Sequence, residues 1–120
     1  MAQIDNCPPE LGASIREFFP ESEWDNAASI ALLESEWDAF ALNDTTTATN
    51  PCGSLVTTRD GMQVTAERSV GYFQINSCNY PTWEWKRLWN ARENVGTAHD
   101  LWARRSWQPW YFSAKSLGLL

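Results

Sequence analysis

The chain has no apolar run near the roughly 20 residues that a membrane-spanning helix requires. Its acidic, proline-bearing N-terminus also lacks the basic and apolar regions of a secretory signal. No membrane insertion and no export signal are therefore expected, and action outside a cytoplasm would need another route of delivery. Histidine occurs once, at His99, and none of Cys7, Cys52 and Cys78 stands in a CxxC pair, which argues against a zinc cluster of the usual kind. A Cys–His nucleophile pair stays open because such residues meet in space, although His99, on an amphipathic pattern, reads as a surface residue. The odd cysteine count allows one disulfide plus a free thiol, or three thiols. Positive charge is scarce too. Net charge is −6, with three basic against twelve acidic residues in 1–80 and six against three in 81–120. A nucleic-acid partner normally meets a net basic face, so none is expected. The basic C-terminal stretch reads as a solvated helix face, with contact to an anionic polymer as the alternative.

What is present describes a folded chain. Its 120 residues suit one domain, 1–120, with a modest core and a monomeric state; 43% hydrophobic content and eight tryptophans exclude disorder. Leu11, Ile15 and Phe18 make one stripe of a helix from about Pro9 to Phe19. A second helix is expected from about Glu23 to Trp37. It has Ser22 in the N-cap position, Asp25 as its capping partner, and an apolar run from Ala27 to Leu33 that is apolar almost all round, as in a buried helix. The polar run from Asn43 to Pro51 reads as an exposed loop. Leu55–Thr58 and Met62–Thr65, flanking Arg59-Asp60-Gly61, read as a β-hairpin. Pro81–Leu88 allows a helix, and a longer one is expected over Ala91–Arg105, where Asn90 and Glu93 have capping-box spacing and Ala91, Val95, Ala98 and Trp102 share a face. A short helix around Tyr111–Leu117 closes before Gly118. The fold class is α+β, mainly helical with one small hairpin.

Glu34 is the most informative carboxylate. It falls in the last turn of the second helix, where unpaired carbonyls and the negative end of the helix dipole oppose ionisation. Apolar neighbours add desolvation in the same direction. A raised pKa, suited to a general acid, is the expectation. Glu21-Ser22-Glu23-Trp24-Asp25 nearly repeats as Glu34-Ser35-Glu36-Trp37-Asp38. The first copy opens the helix, which favours the anion of Glu21 by the same logic. The plain alternative for Glu34 is a solvated helix-end carboxylate.

Four segments in order carry a resemblance: Trp24-x-x-Ala27-x-x-Ile30-Ala31-x-x-Glu34-Ser35, Ser69-Val70-Gly71-Tyr72-Phe73-Gln74-Ile75-Asn76, Asn94-Val95-x-x-Ala98 and Trp107-Gln108-Pro109-Trp110. Spanning about residues 22–112, they resemble the soluble lytic transglycosylase and goose-type lysozyme superfamily, particularly its small phage-associated members. The resemblance implies a lysozyme-like fold that cuts the β-1,4 bond between N-acetylmuramic acid and N-acetylglucosamine in peptidoglycan glycan strands, at the bacterial cell wall, with no cofactor and no metal. It also suggests a phage lysin or virion component.

In that family pattern Glu34 matches the catalytic glutamate and Ser35 the hydroxyl beside it, which orients substrate or acid unless it merely caps the helix. Gln74 matches the substrate-contacting glutamine, with amide donor and acceptor to offer, and Gly71 lets backbone approach the sugar closely. Tyr72 stands where leucine is common and offers either a platform for a sugar ring or a core side chain. Asn76 replaces an aspartate implicated in placing the hydrolytic water and, as a neutral amide, cannot serve as general base. Tyr111 corresponds loosely to the C-terminal active-site tyrosine; most tryptophans read as core, while Trp83, Trp85 and Trp89 cluster in a region that could line a cleft. An inverting hydrolase needs a second carboxylate roughly 6.5–9.5 Å from the acid; Glu67 and Asp60 are the candidates. The resemblance thus favours a lytic transglycosylase forming 1,6-anhydro-muramyl ends. A hydrolytic muramidase using Glu67, and a non-catalytic peptidoglycan-binding module, are the alternatives.

Overall fold

The computed structural model describes residues 3–47, 54–57, 61, 63–76, 80 and 82–120; for residues 44–47, 54–57, 63–67, 82 and 83 the description is of backbone. The elements follow the order α1 (Gln3–Asn6), α2 (Pro9–Phe18), a 3-10 turn (Glu21–Glu23), α3 (Trp24–Ser35), β1 (Leu42–Thr47), β2 (Ser54–Thr57), β3 (Gln63–Val70), β4 (Ile75–Asn76), a 3-10 helix (Thr82–Trp89), α4 (Ala91–Arg105), a 3-10 turn (Gln108–Trp110) and α5 (Tyr111–Ser116). The architecture is α+β. Among the described residues, no helix is long and apolar enough to cross a membrane.

Local chemistry accounts for several boundaries. Pro9 opens α2, where its missing N–H would be unpaired in any case. Asn90 caps α4 by accepting from the Glu93 N–H at 3.1 Å, as the spacing predicts. The reciprocal half of that capping box is absent, because the Glu93 carboxylate turns to Arg87 and Tyr80 instead. The cap expected at the start of α3 does not form. The residue before the helix is Glu23, with no side-chain cap, and Asp25 accepts from the Ile4 N–H at 3.0 Å, tying α1 to α3. The helix ends where Glu36 and Trp37 take positive φ values of 54° and 61°, a left-handed exit that stops further α-helical bonding.

The sheet corrects one expectation and supports another. Residues 42–47, of which 43–47 belong to the stretch read as a loop, form β1, antiparallel to β3 from Leu42↔Val70 to Thr47↔Thr65. Threonine is as much a strand former as a loop residue, and a polar face suits an outer strand. β2 pairs antiparallel with β3 from Ser54↔Ala66 to Thr57↔Gln63, as the hairpin pattern predicts, while turn residues 58–60 lie outside the described residues. β4 also pairs with β3, at Ser69 and Val70. Since β1 already occupies one edge of β3 there, β4 and β2 must share the other edge, end to end.

Buried residues form one cluster, with Leu11 and Ile15 of α2, Ala27, Ile30 and Ala31 of α3, Val95 and Ala98 of α4, and Tyr72, Phe73 and Ile75 between them. α3 is not buried all round: Leu33 is 50% exposed. Trp102, read on the apolar face of its helix, is partly buried against the core, as is Trp24. His99 is not a free surface residue either. Its ring meets Phe19 edge-on at 5.4 Å, and Phe19 stacks on Trp107 at 5.7 Å.

Candidate functional site

Glu34 lies in the last turn of α3, half-buried, as the sequence places it. Burial pushes its carboxyl pKa up, and a hydrogen bond from the Ser113 hydroxyl to Oε2, at 2.5 Å, opposes part of that rise. Tyr111, expected to contact substrate near the acid, stands two residues before that serine on α5. Successive residues of an α-helix turn by about 100°, so positions 111 and 113 of α5 face nearly opposite ways. Packing of α5 against α3 buries Ser113 and Ala114 and leaves Tyr111 46% exposed, edge-on to Phe112. Sequence reading passed over Ser113 because a lone serine in a short helix carries no signal.

The Gly71–Gln74 turn reaches the same neighbourhood through two bonds. The Trp110 indole donates to the Phe73 carbonyl at 2.8 Å, and three residues later Ser113 donates to Glu34. On the other side the Gly71 N–H donates to Ala41 at 2.8 Å, in the segment that leaves α3. The two motifs are therefore joined by the C-terminal elements and by the 36–41 connection.

Within that turn, the polar groups expected to meet substrate are committed to the fold. Gln74, at φ 49°, donates from its amide to Gly71 and Ala41 carbonyls at 3.0 and 3.3 Å and accepts from the Asn43 amide. The Tyr72 ring is buried, with 2% exposure, and its hydroxyl donates to Glu10 at 2.7 Å. Burial and the Glu10 carboxylate both push that phenol pKa up, so Tyr72 is a neutral core residue and no platform for a sugar. Gly71 has φ 75°, and a Cβ there would stand 2.4 Å from the Asn94 amide nitrogen and 2.6 Å from the Leu88 carbonyl oxygen. Its close approach is to protein, not to ligand. Asn94, fully buried, accepts from the Phe73 N–H at 2.9 Å and donates to Val70 and Leu88 carbonyls at 2.8 and 2.9 Å.

Ser35 is buried, and its hydroxyl donates to the Ala31 carbonyl at 3.0 Å, a bond back onto its own helix and not to Glu34. Asn76 sits on β4 opposite Ser69, and with Gln74, Ile75, Leu101, Pro109 and Trp110 it lines a dent of about 40 Å³. The larger concavity, about 760 Å³, is elsewhere, along the first half of α4 with Phe18, Arg87 and Arg92, and Glu34 lines neither. Backbone pairing sets Glu67 opposite Thr45; Asp60, Cys52 and Cys78 lie outside the described residues. Cys7 is a buried thiol donating to the Ile4 carbonyl at 3.3 Å, with its pKa raised by burial, so it is no activated nucleophile. No group of His, Cys, Asp and Glu among the described residues could hold a metal ion.

Exposed large apolar side chains are concentrated in two stretches of the chain, 33–42 and 111–120. Among the described residues, the large hydrophobics most open to solvent are Leu33, Phe40, Leu42, Tyr111, Phe112, Leu117 and Leu120. All fall in the two segments that meet at the Ser113–Glu34 bond. Phe40 faces Trp89 at 6.1 Å, and Trp89 packs edge-on to Trp85 at 5.2 Å; Trp83 is described as backbone only. Comparison of the chain with known protein families, with curated proteins and with solved structures finds no match.

Proposed function

We propose that this protein is a peptidoglycan-cleaving glycosidase of lysozyme-like fold, acting at the bacterial cell wall as a lytic transglycosylase with Glu34 as its acid. The observation that carries the reading is a half-buried carboxyl at the end of α3 whose proton affinity is raised by burial. Such a group holds its proton to higher pH than a solvated glutamate does, the condition for general acid catalysis. Exposed Phe40, Tyr111 and Phe112 in the flanking segments suit stacking against the apolar faces of sugar rings.

In the reaction Glu34 gives its proton to the glycosidic oxygen, which leaves with the electron pair of the C1–O bond. The resulting carboxylate then removes the proton of the muramyl C6 hydroxyl as that oxygen attacks C1, closing the 1,6-anhydro ring. One carboxyl serves both steps. The amide of Asn76 offers no second base for a hydrolytic water.

The test is to add purified protein to peptidoglycan and follow turbidity and soluble muropeptides. The transglycosylase releases fragments with anhydro-muramyl ends, one water lighter by mass than reducing ends. Glu34→Gln should lower release by at least about a hundredfold, in keeping with the loss of a general acid. Equal clearing by that variant removes Glu34 from the chemistry. Sedimentation with the wall without release identifies a binding module.

A further inference from the structure

We infer that Ser113 is the positioning residue of Glu34, the hydroxyl that fixes which carboxyl oxygen faces the substrate and that holds the carboxylate once its proton has gone. This inference rests on the glycosidase reading. The geometry is a 2.5 Å contact between two side chains 79 positions apart in the chain. Ser113 is itself buried, 8% exposed, on the face that α5 turns toward α3.

A serine hydroxyl both donates and accepts. Donating to Oε2, it leaves Oε1 as the oxygen that carries the transferable proton. When that proton passes to the glycosidic oxygen, the negative charge left on Glu34 meets a donor already in place, so the bond strengthens as the reaction proceeds. Bonds of this kind lower a barrier because they are worth more in the transition state than in the ground state. A bond to a charged acceptor is worth about 1.5–3 kcal/mol, roughly a ten- to hundredfold effect on rate.

Titratable groups also lie on the elements packed against α3, while the side-chain hydrogen bond to Glu34 comes from Ser113. The elements packed on α3 carry Asp5 on α1, Glu10, Arg16 and Glu17 on α2, Glu21 and Glu23 in the 3-10 turn, and Tyr111 and Lys115 on α5. Burial raises the proton affinity of Glu34, and the Ser113 hydroxyl opposes that rise.

The experiment compares Ser113→Ala, Ser113→Thr and Ser116→Ala. The last removes a hydroxyl from the same helix, one that donates to the Ser113 carbonyl at 3.0 Å and does not touch Glu34. Two readouts are taken: the Glu34 carboxyl titration by carbon-13 NMR, and kcat and KM for muropeptide release across pH. Ser113→Ala should move the Glu34 midpoint and the alkaline limb of the rate profile to higher pH. It should also lower kcat about ten- to hundredfold with KM little changed. Ser113→Thr should restore both, and Ser116→Ala should change neither. An unmoved Glu34 midpoint in Ser113→Ala overturns the inference, as does an equal effect of Ser116→Ala. Because the NMR midpoint needs no turnover, it judges Ser113 even if Glu34→Gln keeps its activity and the glycosidase reading fails.

Discussion

Replacing Gly71 by alanine tests how the site is held. With φ at 75°, Gly71 is in the left-handed region, which costs an L-residue about 1–2 kcal/mol. The added methyl would also meet the Asn94 amide nitrogen at 2.4 Å and the Leu88 carbonyl oxygen at 2.6 Å, both closer than real contacts allow. Something must shift. Displacing the Asn94 amide breaks its buried bonds to the Val70 and Leu88 carbonyls, and each buried polar group left unpaired costs about 1–3 kcal/mol. With both of those bonds lost the sum is about 3–8 kcal/mol, a large share of the roughly 5–15 kcal/mol that holds a typical domain together. Urea denaturation followed by circular dichroism and tryptophan fluorescence should show the midpoint falling accordingly. The same change in an Asn94→Ala background should cost roughly 1–3 kcal/mol less, since neighbours in one network are not additive. A loss below about 1 kcal/mol in the parent background, or strict additivity with Asn94→Ala, would refute the argument that this glycine serves internal packing.

Two further outcomes follow from the carboxyl and the exposed rings. Burial raises the Glu34 pKa in the folded state above its unfolded value, so folding favours the protonated form. Its contribution is fully present below the unfolded pKa and is lost as pH rises through the folded one. Thermal melts should therefore show Glu34→Gln gaining stability relative to the parent as pH increases from the ordinary glutamate range toward neutrality and above; a difference independent of pH would contradict the burial. Phe112, 85% exposed, should tolerate alanine with a stability change within about 0.5 kcal/mol. In a Glu34→Gln background the same change should weaken retention on peptidoglycan about two- to tenfold if the ring stacks on sugar; unaltered retention removes Phe112 from the proposed contact with glycan.

Short-range patterns were legible without coordinates. Helix α4 is a case in which the Asn90 cap and the spacing of Val95 and Ala98 place the element and its buried face, because caps and 3.6-residue periodicity are local properties. The position of Glu34 in the last turn of α3 was legible for the same reason. The strand at 42–47 was not, since a threonine-rich run is compatible with strand or loop until a partner strand supplies the hydrogen bonds. The environment of Glu34 was only half legible: apolar neighbours foretold the burial, but nothing in the sequence marked Ser113 as its partner.

By itself, then, the chain specified its mainly helical α+β character, the bounds of α4, the β2–β3 pairing and the place of Glu34 in the last turn of a helix. Tertiary structure decided which side chains surround that residue and what the Gly71–Gln74 segment does. Tyr72 and Gln74 direct their polar groups to Glu10, Asn43, Ala41 and Gly71. Gly71 yields its empty Cβ position to Asn94 and Leu88. The physical reason is that a buried donor or acceptor must find a partner somewhere in the fold, and for these residues the partners lie up to 62 positions away along the chain, beyond the reach of any local pattern.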